Sequence, residues 1–201
     1  IPPRPINLCP GCPHRATFWA VKNALRLDGR DGFLCGDIGC YSLGITDGGF
    51  FQARTMHAMG SGAGVANGLG NLRQFGFDQP VLAICGDSTF YHAVIPAVVN
   101  SVYNNSDFIL IIADNGGTAM TGFQPHPGTG ELATKDSTNV IDMEALCRAI
   151  GAHVEVCDPF DLKNTTDTLL RLMKGERGTK VLIMRHSCEL IRAKREKRKP
   201  Y

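Results

Sequence analysis

Two stretches decide the fold: Val81-Leu82-Ala83-Ile84-Cys85-Gly86-Asp87-Ser88-Thr89 and Phe108-Ile109-Leu110-Ile111-Ile112-Ala113-Asp114-Asn115-Gly116-Gly117-Thr118. Each is an unbroken apolar run that stops at glycine and short polar residues. A strand with one wet face alternates apolar and polar positions. A continuous run reads as a strand covered on both faces, the habit of parallel sheets. Shorter runs of the same kind predict strands over residues 32–35, 152–157 and 180–185. Helical patterns lie between them, over residues 14–27, 56–74, 96–104, 143–150, 162–174 and 189–198. In the first, Trp19 and Leu25 fall on the apolar face. In the third, Pro96 suits the opening turn, where a missing N–H costs nothing. Strands alternating with helices predict an α/β fold, a doubly wound, mostly parallel sheet with helices on both faces.

Ligands of such sheets bind beyond the carboxyl ends of the strands. Gly86-Asp87-Ser88-Thr89 and Asp114-Asn115-Gly116-Gly117 stand at two of those ends. If the two strands are neighbours, Asp87 and Asn115 enter one crevice. A carboxylate and an amide oxygen are hard ligands suited to magnesium, which completes its octahedron with water and substrate phosphates. The neighbouring glycines let backbone N–H groups approach an anion. The same residues are also ordinary turn formers, and either tract alone reads equally as a plain turn.

The chain has 201 residues, of which 43% are hydrophobic and 20% charged. That suits one soluble domain able to bury a core without staples. The formal charge of +2 is a misleading average. Residues 192–199 carry six basic residues and one acid, so the remainder is −3. That body excludes a nucleic-acid surface, and the tail reads as a solvated helix end or linker. No apolar run approaches the length of a membrane span, and the opening residues do not have the pattern of a cleavable signal, so none is expected. The chain opens Ile1-Pro2-Pro3-Arg4-Pro5 without Met, which predicts a segment of a longer cytoplasmic polypeptide. Residues 1–8 and 192–201 read as linker-like ends of one domain spanning 1–201.

Eight cysteines divide into two groups. Cys35, Cys85, Cys147 and Cys157 sit inside strand or helix patterns and read as small core hydrophobes. Cys9, Cys12, Cys40 and Cys188 sit at element edges. Without a secretory signal a disulfide framework is disfavoured. A Cys-x-x-Cys pair holds two thiolates on one metal centre, and two more thiolates complete a site for zinc or a 4Fe-4S cluster. Spacing alone does not choose between these.

Taken together the motifs are more specific. Gly86-Asp87-Ser88, with Asp114-Asn115 following directly after residues 89–113, resembles the thiamine diphosphate signature. Ser88 and Asp114 depart from its commonest letters. Adding Cys9-Pro10-Gly11-Cys12-Pro13-His14-Arg15 and Gly36-Asp37-Ile38-Gly39-Cys40-Tyr41, essentially the whole chain resembles the thiamine diphosphate-binding, diphosphate-type domain of the 2-oxoacid:ferredoxin oxidoreductases, nearest the indolepyruvate branch. The resemblance implies magnesium on Asp87, Asn115 and the Gly117 carbonyl. It implies thiamine diphosphate contacts from Ile38, Gly39, Cys40, Tyr41, His57, Gly86, Asp87, Ser88, Thr89, Asn115, Gly117, Ala119 and Met120. It implies a 4Fe-4S cluster on Cys9, Cys12, Cys40 and Cys188. His57, by sequence alone, equally reads as a helix cap or surface residue.

The implied reaction is oxidative decarboxylation of an aryl 2-oxoacid to an acyl-coenzyme A, with electrons leaving through the cluster to ferredoxin. No Glu here matches the family's activating glutamate. The resemblance therefore implies half a site, completed by a pyrimidine-binding domain of the same or a partner subunit, within a hetero-oligomer that includes a second, beta- or gamma-type subunit. A non-redox thiamine decarboxylase or synthase and a zinc-stapled, non-catalytic interaction module stand as alternatives. The Gly/Pro loop 124–130 reads either as a flap over the substrate or as plain surface.

Overall fold

The structure, a computed structural model, describes residues 5–197. Six parallel strands form one sheet: β1 (Phe33–Gly36), β2 (Ala53–Met56), β3 (Val81–Gly86), β4 (Phe108–Asp114), β5 (His153–Cys157) and β6 (Thr179–Arg185). Their order across the sheet is β2-β1-β3-β4-β6-β5. The helices are α1 (Pro13–Asp28), α2 (Ser61–Gly70), α3 (Asp87–Thr89), α4 (Ile95–Tyr103), α5 (Met143–Ile150), α6 (Leu162–Lys174) and α7 (Glu189–Arg195). A π-helical stretch, Phe90–Val94, joins α3 to α4.

The continuous apolar runs are buried on both faces, as such runs must be. Along β3 and β4 the side chains alternate between two cores. Leu82, Ile84, Ile109 and Ile111 pack with Phe18 and Val21 of α1 and Leu169 of α6. Ala83, Cys85, Leu110 and Ile112 pack with Ala63 of α2, Val98 of α4 and Cys147 of α5. The helices therefore cover both faces, as the alternating pattern predicts. Cys35, Cys85 and Cys147 are wholly buried and Cys157 nearly so, which is their expected packing role. Gly62 lets α2 lie directly on β1, because a Cβ there would meet the Cys35 carbonyl at 2.8 Å.

Several expectations need correction. The edge strand β2, Ala-Arg-Thr-Met, has no apolar run to announce it. Met56 still pairs with Gly36, so the helix expected over 56–74 cannot begin there. It begins at Ser61, after Gly60 turns at φ +84, and ends at Gly70 before a separate 3-10 turn, Leu72–Phe75. Residues 87–94, outside every expected helix, are helical from Asp87 onward. Trp19 is off the buried stripe of α1: it is 40% exposed and packs edge-on against Phe50. The final helix runs to Arg195, and residue 198 of its expected span lies outside the described residues. Of the linker-like ends, residues 1–4 and 198–201 also lie outside the described residues. Within the rest, residues 5–7 are exposed and Leu8 is buried in the core, and residues 192–195 continue α7, in keeping with the helix-end reading of the basic tail.

Candidate functional site

The strand order reverses at β1. From β1 the chain steps outward to β2, then returns to the other side for β3 and β4. The carboxyl ends of β1, β3 and β4 thus flank the switch point where doubly wound sheets open a crevice. Gly86 pairs with Ala113, so the residues that follow them emerge side by side. A cavity of about 140 Å³ opens there. Ile38, Gly39, Cys40, Tyr41, Gly86, Asp87, Ser88, Thr89, Asn115, Gly117, Ala119 and Met120 all line it. His57 does not. It is exposed on the loop after β2, and Met59 lines the cavity from that loop instead.

Asp87 organises the crevice. Its Oδ2 accepts backbone N–H groups from Asn115, Gly116 and Gly117 at 3.2, 2.9 and 3.1 Å, and its Oδ1 accepts that of Ser88 at 2.8 Å. The loop after β4 is therefore wrapped around the carboxylate that ends β3. Gly116 sits at φ +78, which the turn needs and a bulky residue resists. Asn115 Oδ1 lies 3.3 Å from the Gly117 N–H, and its Nδ2 lies 3.1 Å from His14 Nε2.

Two histidines carry the arrangement, and the motifs assign neither of them a site role. His14, in the first turn of α1, is 3% exposed. Burial draws its pKa down to about 4, against the pull of the Asp87 charge, because a buried imidazole resists protonation. The ring is therefore neutral near pH 7. His126 comes from loop 124–130 and is also buried. Its Nδ1 accepts the Gly128 N–H at 3.1 Å, and Tyr91 stacks on its ring. Its Nε2 lies 3.1 Å from Asp87 Oδ2 in a bent contact, without an aligned hydrogen bond. The loop is thus pinned to the crevice floor through His126.

Asp37, which follows β1, is wholly buried. Its Oδ2 accepts the Gly60 N–H at 2.9 Å, while Oδ1 has no aligned partner. The nearby Tyr41 hydroxyl lies 2.9 Å from the Ile38 carbonyl and 3.0 Å from Thr89 Oγ1. Burial pushes the Asp37 carboxyl up to about 6, against the Tyr41 hydroxyl and the Gly60 N–H, which favour the charged form. The unfolded chain holds that proton only below about 4. Between about pH 6 and 4 the folded state binds more protons here, so this group adds stability as pH falls. His14 opposes it, because the unfolded chain takes up that proton first as pH drops from 6.5 to about 4. Asp37→Asn is expected to be more stable than the parent above pH 7 and to lose its advantage by pH 4. Denaturant midpoints across that range check this, and a gap that does not change with pH contradicts it.

A second cavity, of about 250 Å³, adjoins the first and shares His14, Cys40, Asn115, Ala119 and Met120 with it. Cys9, Cys12, Cys40 and Cys188 all line it, together with Leu8 and Leu43. The Cys188 N–H donates to the Asn115 carbonyl at 2.9 Å, which ties the start of α7 to the crevice. As free thiols, Cys12 is pushed up to about 11, mainly by burial, and Cys40 is raised by the same cause. Both also feel Cys9 and Cys188. The four are therefore electrostatic neighbours. Among the described residues, no three His, Cys, Asp or Glu side chains converge closely enough to grip a single metal ion.

A parallel sheet with a crevice at its switch point, floored by Asp87 and Asn115, has the form of a ligand-binding α/β domain. The chain belongs to the thiamine pyrophosphate enzyme family, as a C-terminal TPP-binding domain, whose model matches residues 37–184. It is 40% identical to the indolepyruvate oxidoreductase subunit IorA of Archaeoglobus fulgidus, over 98% of this chain and 31% of that protein. It is 39% identical to the same subunit of Pyrococcus horikoshii, over 96% and 30%. The chain thus spans about a third of the length of these relatives. Among solved structures, a 2-oxoglutarate:ferredoxin oxidoreductase from Magnetococcus marinus superposes with a TM-score of 0.76 at 20% identity, covering 92% of this chain and 65% of that one. A benzoylformate decarboxylase from Polynucleobacter necessarius gives 0.58 at 17%, covering 87% and 33%. At such identities the last two speak for the fold alone. No helix among the described residues is long and apolar enough to cross a membrane.

Proposed function

We propose that this chain is the diphosphate-holding domain of a 2-oxoacid:ferredoxin oxidoreductase acting on aryl 2-oxoacids such as indolepyruvate. The observation that carries the reading is the adjacency of two cavities, one floored by Asp87 and Asn115 and the other walled by four cysteines, with His14, Cys40 and Asn115 between them. The second cavity and its four cysteines are what favour this reading over a non-redox thiamine enzyme.

The residues fit the groups. Asp87 and Asn115 would hold magnesium through one oxygen each, with the Gly117 carbonyl as a third ligand. Ser88, Thr89, Ala119 and Met120 would flank the diphosphate. Ile38 and Tyr41 would pack against the thiamine rings. Cys9, Cys12, Cys40 and Cys188 would ligate a 4Fe-4S cluster. Zinc draws four sulfurs to about 2.3 Å from one point, whereas these thiols stand around the wall of a cavity, which suits a larger group. As free thiols Cys12 and Cys40 stay protonated at neutral pH, and the positive charge of bound iron would draw those protons off.

When bound, thiamine diphosphate supplies the chemistry that removes carbon dioxide from a 2-oxoacid. The chain's own part is to fix the metal ligands on backbone N–H groups, line the crevice with apolar side chains that exclude water, and place the cysteines beside it. The activating carboxylate, the acceptor coenzyme A site and the ferredoxin contact are assigned to the rest of the enzyme. The assembled enzyme, purified anaerobically, is expected to contain about four iron and about four acid-labile sulfide for this domain beyond its other centres. Cys12→Ser is expected to remove them together with the EPR signal that appears on adding indolepyruvate. Unchanged iron and an unchanged signal in Cys12→Ser would sink the cluster assignment. Zinc in place of iron would favour the stapled interaction module.

A further inference from the structure

We propose that His14 is the positioning residue that sets which end of the Asn115 amide faces the magnesium site. The inference rests on the reading of Asp87 and Asn115 as metal ligands and adds a residue that this reading does not contain. An asparagine amide has two ends of nearly equal shape, one an acceptor and one a donor. Only the oxygen end can ligate a cation. At one end the Gly117 N–H, 3.3 Å away, favours the oxygen; at the other a partner that accepts from the N–H₂ group is needed to hold the same setting.

His14 is placed to choose. Its Nε2 lies 3.1 Å from Asn115 Nδ2, both residues are buried, and 101 residues of chain separate them. With Nε2 as the acceptor, Nδ2 is held back and Oδ1 turns toward the Gly117 N–H and the crevice. The opposite setting would put the Asn115 oxygen against the ring and aim an N–H₂ group at the cation. The ring is itself braced. It meets Tyr41 edge-on, with centroids 6.1 Å apart at 89°, and it stands on a full-length helix that begins with Pro13, one residue past Cys12. Partners behind a metal ligand fix its orientation in this way, and their loss typically costs about 10–100-fold in metal affinity.

The test uses the assembled enzyme and reads the Mg²⁺ concentration needed for half-maximal thiamine diphosphate binding, followed by calorimetry. It does not rely on turnover. His14→Leu removes the acceptor. His14→Gln restores one, since its amide oxygen can face Asn115 Nδ2. The expected result is a rise of about 10–100-fold in the Mg²⁺ requirement for the leucine variant, with the glutamine variant staying within about threefold of the parent. The Mn²⁺ EPR spectrum of the loaded site should change in the leucine variant and not in the glutamine one. An unchanged requirement in His14→Leu overturns the proposal. Equal losses in both variants, with melting temperatures preserved, also overturn it, because they mark His14 as packing only. If the leucine variant does not fold, the glutamine variant still decides: a parent-like Mg²⁺ requirement and Mn²⁺ spectrum support the proposal, and a shifted requirement overturns it. Asp87→Ala serves as the control. If it too leaves the Mg²⁺ dependence unchanged, the ligand reading itself falls, a failure distinguishable from that of His14 alone.

Discussion

Replacing Asp87 by alanine is expected to weaken magnesium-dependent thiamine diphosphate binding at least about 100-fold and to destabilise the fold by about 2–4 kcal/mol. Both effects come from one carboxylate. It presents oxygen to the crevice, and it accepts the backbone N–H groups of Ser88, Asn115, Gly116 and Gly117. Charge-assisted bonds to a carboxylate are about twice as strong as neutral ones. With no cofactor bound, water can enter the crevice and meet some of those donors, so the loss stays below the sum of four bonds. Asp87→Asn separates the two roles. Its one acceptor oxygen can keep the three N–H groups of the loop after β4, while its N–H₂ end opposes the Ser88 N–H, so stability should return in part while metal-dependent binding does not. Calorimetry and denaturant melts on the same preparations check both parts. An alanine variant that binds the cofactor with unchanged magnesium dependence would contradict the ligand role.

Leu110→Ala should produce the largest purely structural loss, about 3–5 kcal/mol. Leu110 is wholly buried at the middle of β4, in register with Ala83 on one side and Val181 on the other. Its neighbours belong to two interior strands and the α2–α4–α5 face, which cannot close on the vacated space without bending the sheet. The denaturation midpoint should fall with an unchanged slope, since the surface exposed on unfolding stays nearly the same. The same strand delivers Asn115 to the crevice, so cofactor affinity should fall with stability. A loss below about 1 kcal/mol would mean that the site repacks freely, against the close packing expected of such an interior.

The strands that position the site were legible because burial on two faces forces an unbroken apolar run, and β3 and β4 appear where those runs predict. The edge strand β2 was not legible. With Arg54 exposed and no apolar residue between Ala53 and Met56, it carries no run and no alternation, and its existence depends on β1 lying alongside. The helical start at Asp87 was hidden because Asp87 directly follows a strand, opens a helix of only three residues and is also the crevice carboxylate. Twelve of the expected contact residues line the cavity, and they were within reach of the motif resemblance because they sit at or after the carboxyl ends of strands. His14 and His126 were not, because their partners lie far away in the chain, 101 residues off in the case of His14. Only the folded sheet brings these rings to Asn115 and Asp87. His57 is the opposite case. Only the resemblance puts it at the cofactor; its residues alone read equally as a helix cap or surface position, and β2, running to Met56, leaves it on an exposed loop.

If Asp87 and Asn115 jointly hold a divalent cation against a diphosphate, anomalous diffraction shows it most directly. The crystals needed are those of the assembled enzyme grown with thiamine diphosphate and Mn²⁺ in place of Mg²⁺. One manganese peak is expected in this crevice, about 2.0–2.2 Å from a carboxylate oxygen of Asp87 and from Asn115 Oδ1, with the diphosphate completing the shell. A manganese peak elsewhere, or a bound cofactor whose metal touches neither side chain, would contradict it.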